Sequence, residues 1–309
     1  MAALVWGADR FVAGAAGIAA HRGISQLVIG ITVVALGTSA PEIAVAIHAC
    51  LEGNPLLAVG NAVGSNIANI GLVLAVTAIV VPLSFSLGVR AEELRWLLGA
   101  TVLALVILVD LHLSAIDGLL LLAGLVYVVI RLFRQQRVVT VDLEDSLIYQ
   151  SAEVPELSYR QSLILFSTGM LIVLVSADVL VWSATGVARW WGVSELVIGL
   201  TIVAIGTSLE DMAACVGAAI KGHADIAIGN VVGSNILNIL TVMTVPALMS
   251  QPEIDLVVLV RDCGMMLLLT LTLAVFAYVM NKVITRVEGA IMLSAWIGYN
   301  IVVLLQATG

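Results

Sequence analysis

Residues 26–40, QLVIGITVVALGTSA, return as residues 195–209, ELVIGLTIVAIGTSL, and residues 60–69, GNAVGSNIAN, return as residues 229–238, GNVVGSNILN. Both pairs lie 169 positions apart, and Ala8-Asp9 and Ala177-Asp178 keep the same spacing. Separate segments that share one offset mean that a whole structural unit has been duplicated. The fold must therefore be assembled from two copies of one unit.

The unit is a set of membrane helices. Apolar stretches of about 18 to 25 residues recur from end to end, each long enough to cross about 30 Å of hydrocarbon as a helix. Hydrophobic residues make up 61% of the chain and charged residues 11%, with a mean hydropathy of +1.14, more than a soluble core of this size needs. Strand alternation is absent, which argues against a β-barrel. Helices are expected near 1–20, 24–52, 56–82, 95–112 and 115–132, then near 161–188, 193–221, 225–250, 258–280 and 286–306. Met1–Ala8 has no basic leading region, so no cleavable signal is expected.

Five helices per copy is an odd number, so the second copy must enter the membrane from the opposite side. The expected fold is an all-α polytopic membrane protein of ten transmembrane helices in two inverted five-helix repeats, 1–132 and 161–309, joined by a polar linker at 133–160. Basic residues fix the direction. With both termini outside, Arg22, Arg90, Arg95, Arg131, Arg134, Arg137, Arg160, Lys221, Lys282 and Arg286 fall on the cytoplasmic side, and Arg10, Arg189 and Arg261 elsewhere. The expected location is the plasma membrane, or the inner membrane of a two-membrane cell.

The duplicated segments carry the chemistry. Gly37-Thr38-Ser39-Ala40-Pro41-Glu42 and its counterpart Gly206-Thr207-Ser208-Leu209-Glu210-Asp211 each put a carboxylate inside an apolar helix that holds no Lys or Arg to pair with it. An ionised carboxylate at that depth costs several kcal/mol unless compensated, so a bound cation is the expected partner of Glu42 and Asp211. Thr38 and Glu42 are four apart and share a helical face, as do Thr207 and Asp211, Ser65 and Asn69, and Ser234 and Asn238. Pro41 lacks an N–H and should release the carbonyl of Gly37. The result is an oxygen-only shell with a charge of about −2. That suits one Ca2+ or two to three Na+ and offers no soft ligand. Taken singly, each residue has a plainer role: Ser and Thr bond the carbonyl four residues back, small residues let helices approach, and Asn joins helices.

Other function classes are disfavoured. Thirteen Lys and Arg with no long basic block give no footprint for nucleic acid. Cys50, Cys215 and Cys263 have neither metal-site nor redox spacing and are expected to be packing residues. An intramembrane aspartyl hydrolase would also pair two acids, but no GxGD-type sequence surrounds either one. A channel would not need inverted repeats. No enzyme activity, organic cofactor or protein partner is expected.

GTSAPE followed by GNAVGSNIAN, and GTSLED followed by GNVVGSNILN, resemble the two α-repeats of the cation/calcium exchanger superfamily, its bacterial sodium/calcium antiporter branch in particular. The resemblance covers nearly the whole chain. It implies a ten-helix antiporter that exchanges Na+ for Ca2+ by alternating access, with both ions as transported substrates. Glu42 and Asp211 would bind Ca2+, and Thr38, Ser39, Ser65, Asn69, Thr207, Ser208, Ser234 and Asn238 would complete the ion sites, with the carbonyls of Ala35 and Ala204 as further ligands. K+-dependent or H+-coupled calcium exchange is the alternative within the same fold. Two departures stand out. Glu210 occupies the place of the family's usual proline, and only eight residues precede Asp9 where the second copy has a full apolar run before Asp178.

Overall fold

A computed structural model of the chain describes residues 39–85, 93–142, 157–220, 224–278 and 283–308, with scattered positions before residue 22. Nine helical runs are present among the described residues: α1 (Ala40–Leu51), α2 (Pro55–Val80), α3 (Leu94–Ile107), α4 (Ala115–Asp142), α5 (Tyr159–Trp191), α6 (195–220), α7 (224–249), α8 (Val258–Tyr278) and α9 (Arg286–Thr308). The expected first helix falls largely, and the expected stretch from 24 to 38 entirely, outside the described residues.

Local chemistry accounts for the boundaries that differ from expectation. α5 starts at Tyr159 because Ser158 and Gln161 form a capping box, each side chain bonding the other's backbone N–H, and it stops at Gly192, whose φ of +67° ends the helix in the left-handed region. α3 ends at Ile107, earlier than expected. There Asp110 accepts a bond from the His112 N–H at 3.1 Å, and Ser114 and Asp117 cap α4 reciprocally. α4 continues to Asp142, about ten residues into the segment expected to be linker, because no Gly or Pro interrupts residues 125–142.

Among the described residues, four of the long helices contain a widened π turn that sequence patterning does not reveal, the one in α8 at its start, Val258–Cys263. α2 has one at Asn69–Leu74 and α7 at Asn238–Val242, the same place in each copy, and α6 has one at Gly199–Val203. Such turns leave backbone groups off the regular ladder and are frequent at functional sites.

α2 and α7 form the centre. Each is long and apolar enough to span a bilayer, yet 78% of the spanning window is buried inside the protein, against 39% for α8 and 28% for α9. α8 and α9 therefore face lipid with rows of Leu, Val and Ile, while α2 and α7 face other helices. The two centres touch at a residue and its own copy: Asn235 Nδ2 donates to the Asn66 carbonyl at 3.2 Å.

Short extended pairings tie loops from the two halves together. Strand β1 (Leu83–Ser84), after α2, pairs antiparallel with β2 (Val283–Ile284), before α9. The loop after α3 pairs with the loop after α7 through Leu113 N–H to the Pro252 carbonyl, at 3.0 Å, and Ile254 N–H to the Leu111 carbonyl, at 2.8 Å. The turns are tight enough to hold Leu111 and Gln251 at positive φ, 62° and 49°.

Candidate cation-binding site

The site forms where α1, α2, α6 and α7 cross. α2 and α6 approach backbone to backbone: a Cβ on Gly60 would lie 2.5 Å from the Leu196 carbonyl oxygen, and one on Gly64 would lie 2.6 Å from that of Leu200. Only glycine permits this contact, and it brings the Ser65 hydroxyl of one half to 3.4 Å from the Thr207 hydroxyl of the other.

Glu42 sits in the first turn of α1, where Pro41 needs no N–H partner, and the helix described there begins at Ala40. Its side chain is 0% exposed. It faces the Thr207 hydroxyl and the Asp211 carboxylate, yet neither of its oxygens has a hydrogen bond. Asp211, 1% exposed on α6, accepts bonds from Asn230 Nδ2 at 2.8 Å and Ser234 Oγ at 3.2 Å, both on α7. Two buried acids thus face each other.

The hydroxyls separate by how they are used. Thr77, Thr101, Thr201, Thr244 and Thr270 all donate to the carbonyl four residues back, the ordinary role of Thr in a membrane helix. Thr207 donates likewise to Val203 and Ala204 carbonyls, at 3.2 and 3.3 Å, so only its lone pairs are left to face Ser65 and Glu42. Ser39 and Ser208, by contrast, are buried with bare hydroxyls. Asn69 and Asn238, each opening a π turn, are 0% exposed and have neither amide atom bonded. A buried amide without partners loses about 1–3 kcal/mol per group, and a cation that accepts its oxygen restores part of that.

Of the sequence-derived ligands, Ser65 reaches Thr207 and Ser234 reaches Asp211 through their side chains, Glu42 is buried facing Thr207 and Asp211, and Ser39, Ser208, Asn69 and Asn238 are buried with open polar atoms. Thr38 and Ala35 lie outside the described residues. α6 runs unbroken through Glu210, whose side chain lies outside what is described, and its ladder is loosened at the π turn Gly199–Val203 instead. Sequence reasoning missed Asn61 and Asn230, a duplicated pair. Asn61 Nδ2 donates to the Glu42 backbone carbonyl at 3.4 Å and Ser65 Oγ to Asn61 Oδ1 at 3.4 Å. The same four-residue spacing that singled out Asn69 relative to Ser65 would have found them on the preceding turn.

Residues 1–134 and 161–305 match the sodium/calcium exchanger protein family. The chain belongs to that family. CaxA of Alkalimonas amylolytica is 40% identical over 301 residues, covering 96% of this chain and 94% of the relative. The inner membrane protein YrbG of Escherichia coli is 38% identical over 277 residues, covering 89% and 85%. Among solved structures, the sodium-calcium exchanger NCX_Mj, soaked with Na+ and Ca2+, superposes with a TM-score of 0.68 at 32% identity, covering 96% of this chain and 92% of that one. The chain is thus a helical membrane protein of a cation/calcium antiporter family.

Proposed function

We propose that this member of the family carries Ca2+ in exchange for Na+ by alternating access. Glu42 and Asp211 are its charged ligands, completed by Thr38, Ser39, Ser65, Asn69, Thr207, Ser208, Ser234 and Asn238. The observation that carries this reading is the pair of buried acids, one of which, Glu42, has both oxygens without a hydrogen bond. Two carboxylates in a low-dielectric volume repel each other, and each costs several kcal/mol to bury. One divalent cation or a set of monovalent ones removes both penalties, and the bound ions then exchange by competition. The likeness to NCX_Mj, soaked with the same two ions, supports the choice of Na+ and Ca2+.

In this reading the repeats are inverted, spanning 1–132 and 161–309 about a cytoplasmic linker at 133–160, with ten helices and both termini outside. The self-contact of Asn66 with Asn235 and the paired loops fit a twofold relation between the halves, which would let one site open to either side. The bias of Lys and Arg supports the orientation. The membrane is the plasma membrane, or the inner membrane, as the relative YrbG is named.

The test is purified protein in liposomes, with radiolabelled Ca2+ uptake measured under separate outward Na+, K+ and H+ gradients. Uptake driven by Na+ alone, with reciprocal Na+ efflux, is expected. Glu42→Gln and Asp211→Asn should abolish it while the protein still inserts and folds. Uptake that needs K+ or follows H+ would replace the coupling ion, and normal uptake by Asp211→Asn would overturn the site.

A further inference from the structure

Glu42 and Asp211 occupy equivalent places in the two copies but are held differently. Asp211 accepts two hydrogen bonds on one oxygen, Oδ1, from Asn230 Nδ2 at 2.8 Å and Ser234 Oγ at 3.2 Å. The Glu42 carboxylate accepts none. The difference begins one helical turn beyond Asp211, at Cys215. Asn230 also donates to Cys215 Sγ at 3.6 Å, and the thiol donates to the Ala227 carbonyl at 3.4 Å. Asp211 and Cys215 lie on α6, Ala227 and Asn230 on α7, and all four are buried. The path from Ala227 through Cys215 and Asn230 to Asp211 therefore stitches the two helices together with three bonds, away from water.

That path has one direction. The single thiol hydrogen is used on Ala227, so the sulfur can only accept from Asn230, and a carboxylate can only accept as well. The amide must turn its nitrogen to both, although this leaves its own oxygen buried without a partner. A flipped amide would set that oxygen against a carboxylate. In the first half Ala46 stands where Cys215 does and offers no acceptor. There Asn61 donates to the Glu42 backbone carbonyl at 3.4 Å and accepts from Ser65 Oγ at 3.4 Å, so its bonds fix the main chain and not the carboxylate.

We propose that Asn230 is the positioning residue of the Asp211 carboxylate and that Cys215 acts through it, by fixing which way the amide points. The inference rests on Asp211 being a cation ligand, as argued above. Asp211 then meets the ion already oriented, whereas Glu42 takes its final orientation from the ion. The bond from Asn230 to Asp211 is charge-assisted and about twice as strong as a neutral one. It carries the effect, and the weaker bond to sulfur selects the amide orientation that makes it. Orienting a ligand in advance lowers the cost of ordering it on binding, so the gain falls on affinity more than on the maximal rate of exchange.

The experiment is Ca2+ titration of the purified full chain by calorimetry, beside exchange in liposomes and a thermal melt. Asn230→Ala is expected to weaken Ca2+ binding at least about tenfold and to lower the maximal exchange rate far less. Cys215→Ala should weaken binding in the same direction and by a smaller factor. Cys215→Ser, which keeps one hydrogen to donate and lone pairs to accept, should restore most of that loss. A cysteine that only filled space would give the reverse order, since serine puts a polar group where alanine keeps an apolar one. Unchanged Ca2+ affinity in Asn230→Ala, or a serine at 215 that binds no better than the alanine, overturns the proposal. The Cys215 pair carries the test if Asn230→Ala does not fold. Binding is read without a gradient, so wild-type protein that binds Ca2+ but fails to exchange it would sink the exchanger reading alone. Normal exchange by the wild type with equally tight Ca2+ binding by Asn230→Ala would sink the positioning role alone.

Discussion

Replacing Gly64 with Ala should damage ion binding through a contact that includes no ligand. The added methyl would lie 2.6 Å from the Leu200 carbonyl oxygen and 2.8 Å from both Leu200 Cα and Ala204 Cβ. Ordinary contact begins at about 3.4 Å, so α2 and α6 must part by about 0.8 Å, and backbone cannot swing aside as a flexible side chain does. The Ser65–Thr207 separation is already 3.4 Å. Calcium ligands sit at about 2.3–2.6 Å, with a tolerance of about 0.2 Å. A displacement several times that tolerance should raise the Ca2+ concentration for half-maximal uptake at least about tenfold and lower stability by about 1–3 kcal/mol. The assay is Ca2+ uptake in liposomes beside a thermal melt followed by Trp fluorescence. Gly186→Ala and Gly298→Ala are the controls, since a Cβ at either position meets nothing within 4 Å. Their uptake should match the wild type. If Gly64→Ala keeps its Ca2+ affinity within about twofold while the controls behave as stated, close approach of α2 and α6 is not what assembles the site.

Three further outcomes are expected. Arg261→Ala should cost about 3–5 kcal/mol in a thermal melt, because Asp262 is 0% exposed and is held by Arg261 Nε at 2.6 Å and Tyr299 Oη at 2.8 Å; the double change Arg261→Leu with Asp262→Asn should lose far less. Glu210→Pro, at the position equivalent to Pro41, should alter apparent ion affinity or turnover without changing which ions are carried, whereas Glu210→Gln should do little; loss of Ca2+ binding in Glu210→Gln as complete as in Asp211→Asn would make Glu210 a ligand. In intact cells a membrane-impermeant thiol reagent should label a Cys placed at Gly309 and spare one placed at Ser146, and the reverse pattern would invert the topology.

Duplication made much of the site legible before any coordinates. A carboxylate, a hydroxyl and an amide that recur at one offset stand out from the many Ser, Thr and Asn that merely serve helix packing, and Glu42, Asp211, Ser65 and Ser234, singled out in this way, are each buried. The π turns were not legible, because a shift of the hydrogen-bond ladder leaves the apolar pattern of Asn69–Leu74 and Asn238–Val242 almost unchanged. The extension of α4 to Asp142 was hidden for a different reason. Polarity marks where a chain leaves lipid, not where a helix ends, and residues 133–142 contain no breaker. The Asn230–Cys215 contact was out of reach because it joins residues on two helices that only packing brings together.

The burial of α2 bears on the order of synthesis. Asn61, Ser65, Asn66 and Asn69 are at most 1% exposed in the finished protein, and among their covers are α6 and α7, which are made more than a hundred residues later. Until those helices arrive, the polar stripe of α2 has only the first half of the chain, the insertion machinery or lipid to lie against. Lipid satisfies none of its amides. A chain halted at the linker should therefore be held by the insertion apparatus or degraded rather than released as a stable half, and the two halves expressed as separate chains should each accumulate only when the other is present.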